Sequence, residues 1–256
     1  LSDNPPQDVL ETCYEVLDEL WKLELHIYPQ QRMTHLMDII AHAITRYIQT
    51  KLSMLDLWLG KYNEVDSTVT QGINLCDKWV EICTRLTTIY WPNYGPHRWQ
   101  GPVYTPANAK NVATRLKEIH SLRTLHKQLT QLLSHSEQDE LKTTDSFNSF
   151  NSVNAVQYNP YTQPIWRGSV KQYENALAPA EHRIAGKLKN QLRNMNANTM
   201  QFMQEFKRYQ ELIRRPSIQR ELVTERENLL GKISEYVQSE RKNFHNEENG
   251  TRWNSD

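Results

Sequence analysis

The histidines, which are common metal ligands and proton carriers, have spacings that fit no familiar metal motif. His35 and His42 are seven residues apart, and His120 and His126 are six residues apart. A zinc protease helix needs two histidines four residues apart with a glutamate between them. We therefore expect these histidines to be solvated or to lie at the edge of a core, and we predict no metal site.

The three cysteines, Cys13, Cys76 and Cys83, form neither a disulfide framework nor a zinc pattern. Their number is odd, and none belongs to a C-x-x-C pair. Each lies at an apolar position of a helical repeat, where reduced cysteines pack in the cores of intracellular proteins. We therefore interpret them as core residues.

Three glycine–lysine pairs, Gly60-Lys61, Gly186-Lys187 and Gly231-Lys232, are too incomplete to bind a nucleotide phosphate. A phosphate-binding loop also needs an earlier glycine and a following serine or threonine, and each pair lacks both. The acidic pairs Asp18-Glu19 and Glu247-Glu248 belong to no D-D-x-x-D cluster that would bind Mg²⁺. The sequence thus predicts no catalytic site and no cofactor. An all-helical enzyme of an unrecognised type stays open as an alternative.

Basic residues in the second half of the chain have two interpretations. Lys187, Lys189 and Arg193, with the pair Arg214-Arg215, could form a docking patch for an acidic partner. They could equally form a solvated helix face that is balanced by nearby acidic residues, namely Glu205, Glu211 and Glu221. We keep Arg214 and Arg215 as the candidate partner-binding residues.

The stretch 91–106 differs from the rest of the chain. Its four prolines and two glycines exclude a helix, and its several aromatic residues are unusual in a flexible linker. We predict an ordered connection that folds back onto the helices. It would act as a structural plug or, alternatively, as a binding surface.

The elements that position these residues are predicted to be helices, and the clearest repeat spans 65–90. Its apolar residues follow one another at steps of four and three, which keeps them on one helix face. Leu75, Ile82 and Ile89 widen that face, so this helix should pack against two neighbours. The repeat comprises Val65, Val69, Gly72, Cys76, Trp79, Cys83, Leu86 and Tyr90. Of these, we predict Trp79, Cys76, Cys83 and Leu86 as structural core.

The same reasoning predicts helices on both sides of this repeat. In the first helix, the predicted inward residues are Val9, Cys13, Val16, Leu20, Leu23 and Ile27. In the last helix, they are Leu222, Leu229, Ile233, Val237 and Phe244. Pro179 lies inside another long apolar repeat and is predicted to kink that helix or divide it in two.

The predicted fold class is therefore all-α, an elongated array of six to eight amphipathic helices in serial bundles. A first bundle is expected at 1–135 and a second at 158–246. Between them, 136–157 is rich in Ser, Thr, Asn and Asp and is predicted to be a weakly structured connection. The residues 247–256 are predicted to be a frayed tail.

Composition narrows the possible partners and location. Thirty basic and thirty acidic residues cancel, so charge gives no reason to expect nucleic acid or an anionic membrane as a partner. No apolar run approaches the about 20 residues of a membrane span, and the mean hydropathy is −0.75. The opening residues, L-S-D-N-P-P, are typical of neither a signal peptide nor a natural start. We expect the chain to be a segment of a longer protein.

Three stretches, taken together, resemble the N-terminal tail of dynein heavy chains. They are I-N-L-C-D-K-W-V-E-I-C at 73–83 with 91–99 after it, V-K-Q-Y-E at 170–174 with A-P-A-E-H-R-I-A-G-K-L at 178–188, and F-K-R-Y-Q-E-L-I-R-R-P-S-I at 206–218. The resemblance covers most of the chain. Q-Y-N-P-Y-T at 157–162 and the stretch 91–102 are most similar to the dynein 2 subfamily, the retrograde motors of intraflagellar transport. The alternatives are an axonemal heavy chain or an unrelated helical scaffold, such as a tethering-complex subunit.

This resemblance implies a tail of consecutive helical bundles. Such a tail would bind dynein intermediate chains and the light intermediate chain, join a second heavy chain further towards the N-terminus, and attach the motor indirectly to intraflagellar-transport trains. It implies a location in the cytoplasm, on the cytoskeleton and in the cilium or flagellum. It also implies that the ATP-hydrolysing ring and the microtubule-binding stalk lie outside these residues, so the segment itself would not be an enzyme.

Overall fold

The computed structural model describes residues 6–23, 30–88, 99, 101–194 and 199–251. Within these ranges the chain is helical and has no β-strand, which confirms the predicted all-α class. The described α-helices are α1 Pro6–Leu23, α2 Gln30–Ser53, α3 Tyr62–Thr88, α4 Ala107–Leu132, α5 His135–Glu140, α6 Gln163–Asn194, α7 Thr199–Arg208, α8 Gln210–Ile213, α9 Pro216–Glu221 and α10 Val223–Thr251. Seven of them have ten residues or more, within the predicted six to eight. No helix in the described part of the chain combines the length and the apolar character needed to cross a bilayer.

The chain divides into two compact units. Unit 1 comprises Leu1–Arg123 and Phe147–Lys171, and unit 2 comprises Thr124–Ser146 and Gln172–Asp256. The sequence predicted two bundles in series, at 1–135 and 158–246, joined by a weakly structured connection at 136–157. That prediction concerns which parts of the chain fold independently, and it stays a prediction. The stretch itself contains α5, which begins with a capping box, and a 3-10 helix at Thr143–Phe150.

Helix α3 is the central element of unit 1 because its apolar face is buried along its whole described length. Trp79 is fully buried, and its Nε1 donates a hydrogen bond to the carbonyl of Met37 on α2 at 3.2 Å. Gly72 lies so close to α2 and α4 that a Cβ there would meet Ile48 Cγ2 and Leu116 Cδ1, each at 3.0 Å. The widened apolar face of α3 therefore packs against both α2 and α4, as the spacing of its residues indicated. Tyr90 and Ile89, which belong to the same predicted repeat, lie outside the described residues.

Helix α1 packs on α3 through a different face from the one predicted. Val9 and Val16 are about half exposed, whereas Leu10 and Leu17 are buried. Two apolar series with the same spacing run along this helix, rotated by one position, so periodicity alone does not select between them. The second series is buried where α1 packs on α3, and beside it Glu11 lies 3.0 Å from the Nζ of Lys78.

Aromatic rings fill the part of unit 1 that includes Phe147 and Phe150, at the end of the 3-10 helix Thr143–Phe150. Trp58, in the turn between α2 and α3, stacks on Phe150 with 4.3 Å between ring centroids and on Phe147 with 5.1 Å. Phe150 also contacts Trp166 of α6, 5.2 Å between centroids. Phe147 and Phe150 thereby bury their rings although the surrounding sequence is rich in Ser, Thr, Asn and Asp.

The described end of the predicted aromatic connection folds back onto two helices. The hydroxyl of Tyr104 donates to Asp38 on α2, and its main-chain N–H donates to the hydroxyl of Thr87 on α3 at 3.2 Å. Trp99 lies beside it, with 6.3 Å between the two ring centroids. These contacts agree with an ordered connection. The remaining residues of that stretch, 91–98 and 100, lie outside the described residues.

In unit 2, helix α6 runs through Pro179 without a break, so of the two predicted outcomes the division is wrong and the kink stays a prediction. A proline frees the carbonyl four residues earlier, which here belongs to Asn175. Both Pro179 and Asn175 are exposed, so water can satisfy that carbonyl. Buried Leu177 and Ala180 flank the proline and hold the helix on its core.

The last helix, α10, buries less of its apolar repeat than predicted. Leu222 and Leu229 are buried near its start, but Val237 and Phe244 are exposed and Ile233 is only half-buried. The first turns of α10 pack on α7 and α9, and these neighbours do not cover its later turns. The apolar repeat of α10 is therefore longer than the core of unit 2, and its later residues are exposed instead of buried.

Candidate partner-binding surface

Arg214 and Arg215 lie in the short connection between α8 and α9 in unit 2. The helices end and begin there because Pro216 cannot continue α8 but fits the first position of α9. Arg215 is the N-cap residue of α9 with an extended backbone, whereas Arg214 keeps a helical one. This change of backbone conformation turns two neighbouring arginines towards different surroundings.

Arg215 points inward and is used by the fold of unit 2. Its Nε donates to the buried carboxylate of Glu181 on α6, and its Nη1 lies 3.4 Å from Glu174 Oε1. The hydroxyl of Ser217 also donates to Glu181. A buried carboxylate needs such donors, because removing it from water is otherwise costly. Arg215 therefore fixes the start of α9 against α6.

Arg214 points outward. Its side chain is 61% exposed and pairs with Glu211 at 2.7 Å, three residues earlier in the chain. An exposed pair of this kind contributes about 0–1 kcal/mol to stability, so Arg214 has little structural role. Of the two candidate partner-binding residues, it is the one that is available at the surface.

Arg214 forms part of the rim of a groove with a volume of about 790 Å³. We call it the α7–α10 groove. It is lined by Phe206, Gln210, Ile213, Arg214, Pro216, Gln219, Arg220, Leu222, Val223, Arg226, Glu227, Leu229 and Leu230. The lining is apolar at its base, and its charged side chains are three arginines and one glutamate. Such a surface suits an apolar ligand with negative charge at its edge.

The other basic residues of the predicted patch are engaged within unit 2. Lys187 binds Glu137, and its Nζ also lies 3.3 Å from the carbonyl of Leu132. Lys189 donates to the main-chain carbonyl of Glu221, and Arg193 Nε lies 2.9 Å from the buried carboxylate of Glu225. These residues stabilise the unit, and of the acidic residues expected from the sequence they contact Glu221, through its main-chain carbonyl.

The carboxyl of Glu137 is the strongest electrostatic feature of this group. Hydrogen bonding from Lys187, followed by that from Ser134, lowers its pKa to about 2. Its carboxylate also receives the main-chain N–H of Ser134 in the capping box of α5. Glu137 therefore links the start of α5 to α6.

The predicted core residues of α3 lie inside unit 1. Trp79, Cys76, Cys83 and Leu86 are all buried. Burial raises the pKa of Cys76 and of Cys83 to about 12, so neither thiol is ionised near neutral pH. Cys13 is half-buried, and burial raises its pKa as well. The three thiols are free of disulfides.

The histidines are distributed over separate surfaces. His120 Nδ1 lies 2.6 Å from Asp66 Oδ1, and His42 Nδ1 lies 3.0 Å from the side-chain amide of Asn108. His35 is exposed. Among the residues that the structure describes, no three His, Cys, Asp or Glu side chains come together in a way that could hold a metal ion.

Two buried arginines of α4 were not predicted from the sequence. Arg123 donates to three main-chain carbonyls of the turn between α2 and α3, those of Leu57, Trp58 and Gly60. It thereby replaces the hydrogen bonds that this turn cannot make itself. Arg123 lies four residues, about one helical turn, after the apolar Ile119, and that spacing was the available indication of its burial.

Arg115 is 1% exposed and stacks over the Trp166 ring at 4.0 Å. It donates to the Ala155 carbonyl at 3.2 Å and to the side-chain oxygen of Gln163. Glu118 Oε2 lies 3.5 Å from its Nε and accepts the Trp166 Nε1–H at 2.7 Å. Arg115 therefore ties α4 to α6 and to the loop before it, within unit 1.

Comparison with known proteins gives one family model and several relatives that this chain resembles. The family model described as "Dynein heavy chain, N-terminal region 1" matches residues 3–254. The chain is 44% identical over 245 residues to the cytoplasmic dynein 2 heavy chain 1 of Tripneustes gratilla, and 40% identical over 240 residues to that of Homo sapiens. A protein of the same name from Caenorhabditis elegans is 25% identical over 236 residues. These alignments cover 95%, 93% and 92% of this chain, but only 6% of each relative.

Proposed function

Because this chain belongs to the dynein heavy chain family, as part of its N-terminal region, we propose that it is a non-catalytic tail segment of a microtubule minus-end-directed motor. In this proposal it is a helical scaffold for subunit assembly and cargo attachment in retrograde intraflagellar transport. The observation that supports the subfamily is the identity of 40–44% to cytoplasmic dynein 2 heavy chains across nearly the whole chain. ATP hydrolysis and microtubule binding would belong to other parts of the heavy chain.

The architecture of the two units suits a scaffold. Long helices that bury one face present their other faces to solvent, where partners can bind. In unit 1, α3 is held on its neighbours by the buried Trp79 and by the close approach at Gly72. In unit 2, the Arg215–Glu181 pair and the Lys187–Glu137 pair fix short and long helices to one another. Internal connections of this kind keep surface positions fixed when a load is applied.

The proposed partners are dynein intermediate chains, the light intermediate chain and a second heavy chain, with transport trains reached indirectly. The proposed location is the cytoplasm, the cytoskeleton and the cilium or flagellum. The test is affinity purification from an extract of ciliated cells, with this chain as bait, followed by quantitative mass spectrometry. We expect enrichment of dynein 2 intermediate and light intermediate chains over an unrelated helical bait.

A matched control separates specific capture from adhesion. A bait with Trp79→Ala has the same surface residues but a damaged core, so specific partners should be reduced while non-specific proteins are not. Enrichment of axonemal dynein subunits instead would contradict the dynein 2 assignment. Recovery of no dynein subunit with the intact bait would contradict the scaffold role of this segment.

A further inference from the structure

The α7–α10 groove continues into an exposed apolar stripe along α10. Val223, Leu230 and Val237 follow one another at intervals of seven residues, and they are 49%, 59% and 42% exposed. Residues seven apart lie on the same side of a helix. At 1.5 Å per residue, this stripe extends over about 21 Å. A repeat of seven on an exposed face is the pattern with which one helix packs along another.

The rim of the groove is positively charged. Arg214, Arg220 and Arg226 are exposed, Glu227 is the acidic side chain of the lining, and Glu211 pairs with Arg214 at 2.7 Å. Three positive and two negative side chains leave a net charge of +1 at the rim. Arg220 Nε donates to the carbonyl of Pro216 at 3.3 Å, which leaves its charge without an acidic partner there. Within the described residues Arg226 makes no ion pair. Excess positive charge around an apolar base attracts an acidic ligand and orients it.

We propose that the α7–α10 groove and the stripe on α10 bind a single amphipathic helix of another polypeptide, with acidic side chains at the end that reaches the arginine rim. This inference rests on the proposed scaffold function and specifies the chemistry of one partner. A groove of about 790 Å³ accommodates several large apolar side chains. A helix supplies them at positions i, i+3 or i+4 and i+7, which matches the spacing along α10.

Charge argues against the same groove of a second copy as the occupant. A two-fold contact places identical surfaces against each other. A two-fold contact centred on the rim would bring the three arginines of one copy close to those of the other. An acidic helix from a different chain meets no such repulsion and pairs with Arg220 and Arg226.

The test uses the full chain and fluorescein-labelled synthetic helices in fluorescence anisotropy titrations. The first probe has a leucine seam flanked by glutamates, the second has the same seam flanked by lysines, and the third keeps the glutamates but replaces the seam with serines. The chain is tested as wild type, as Arg214→Glu/Arg220→Glu/Arg226→Glu, and as Leu230→Asp. A charge-matched control reverses three exposed basic residues that lie neither in the groove lining nor on α10, Arg46, Arg167 and Lys171.

We expect wild type and control to bind the acidic probe equally and at least about fivefold more tightly than the other two probes. The triple rim variant and Leu230→Asp should bind it at least about fivefold more weakly, with unchanged circular dichroism. Failure of the acidic probe to bind, or equal binding by rim variant and control, would overturn the proposal. Self-association of the chain in sedimentation velocity that Leu230→Asp abolishes would also overturn it, because a second copy would then be the occupant.

The two proposals fail separately. If the rim variant recovers the same dynein subunits from extract as wild type, the scaffold function stands and the groove proposal is wrong. If the acidic probe binds as expected but no dynein subunit is recovered, the groove binds a helix and the scaffold assignment is wrong.

Discussion

Replacing Gly72 with alanine tests the packing of α3. The same replacement at Gly168 is expected to change the free energy of unfolding in the opposite direction. Alanine in a helix is favoured over glycine by about 1 kcal/mol when nothing is in its way. At Gly72, however, the new Cβ would lie 3.0 Å from Ile48 Cγ2 and 3.0 Å from Leu116 Cδ1. Carbon atoms prefer about 3.5–4.0 Å, so both side chains have to move. Both are buried and have little space to do so.

Overpacking of this degree costs about 1–3 kcal/mol, which exceeds the gain in helix propensity. We therefore expect Gly72→Ala to lower the free energy of unfolding by about 1 kcal/mol. Gly168, also a helical residue of unit 1, has no atom within 4 Å of its would-be Cβ. Gly168→Ala should accordingly raise the free energy of unfolding by about 0.5–1 kcal/mol.

The assay is urea denaturation followed by far-ultraviolet circular dichroism. With a slope of about 2–3 kcal/mol per molar urea, the two variants should have midpoints on opposite sides of wild type, each shifted by about 0.2–0.5 M. Hydrogen exchange of α3 peptides localises the loss in Gly72→Ala. If Gly72→Ala is stabilised as much as Gly168→Ala, the close approach of α3 to α2 and α4 described here is wrong.

Three further predictions follow from buried or paired side chains. Trp79→Ala should lower the free energy of unfolding by about 3–5 kcal/mol through a cavity in the unit 1 core, and an unchanged melting temperature in calorimetry would contradict the assignment of the α3 stripe. Arg115→Ala should cost about 2–4 kcal/mol because it leaves a cavity and an unpaired carbonyl, whereas Arg115→Met should cost about 1–2 kcal/mol in urea because it fills the cavity but leaves that carbonyl unpaired; equal losses would refute this account. The pKa of Glu137 is lowered on folding, so its contribution to stability is present above about pH 4.5 and is lost as the pH falls towards about 2. The difference in urea midpoint between wild type and Glu137→Gln should therefore shrink over that range, and a constant difference would show that ionisation of Glu137 has no role.

The sequence predicted α3 well because the apolar residues of its described repeat leave one helix face that can be buried. The helix α1 was predicted, but its inward face was wrong at Val9 and Val16, which compete with Leu10 and Leu17 at the same spacing. The choice depends on packing against α3, which no local pattern contains. Periodicity thus predicts that a helix is amphipathic, but tertiary contacts decide between two apolar faces.

Buried arginines were missed for a related reason. Hydropathy treats Arg115 as a surface residue, yet the aromatic ring of Trp166 and the carbonyl of Ala155 make its burial favourable. Both partners are about 40 residues or more away in sequence. A polar residue at an apolar position of a repeat indicates such a site, but the sequence does not show which groups will satisfy it.

The pair Arg214-Arg215 shows how a candidate site depends on the backbone between two helices. The sequence offers two equivalent cations, and the break at Pro216 makes them different. Arg215 is used to neutralise the buried Glu181, as Arg193 is used for Glu225. Three exposed arginines, Arg214, Arg220 and Arg226, lie beside the groove. This segment uses its internal cations for stability and has other cations next to exposed apolar side chains. That combination is typical of a binding surface, because the exposed apolar area of the groove would be unfavourable in a protein with no partner.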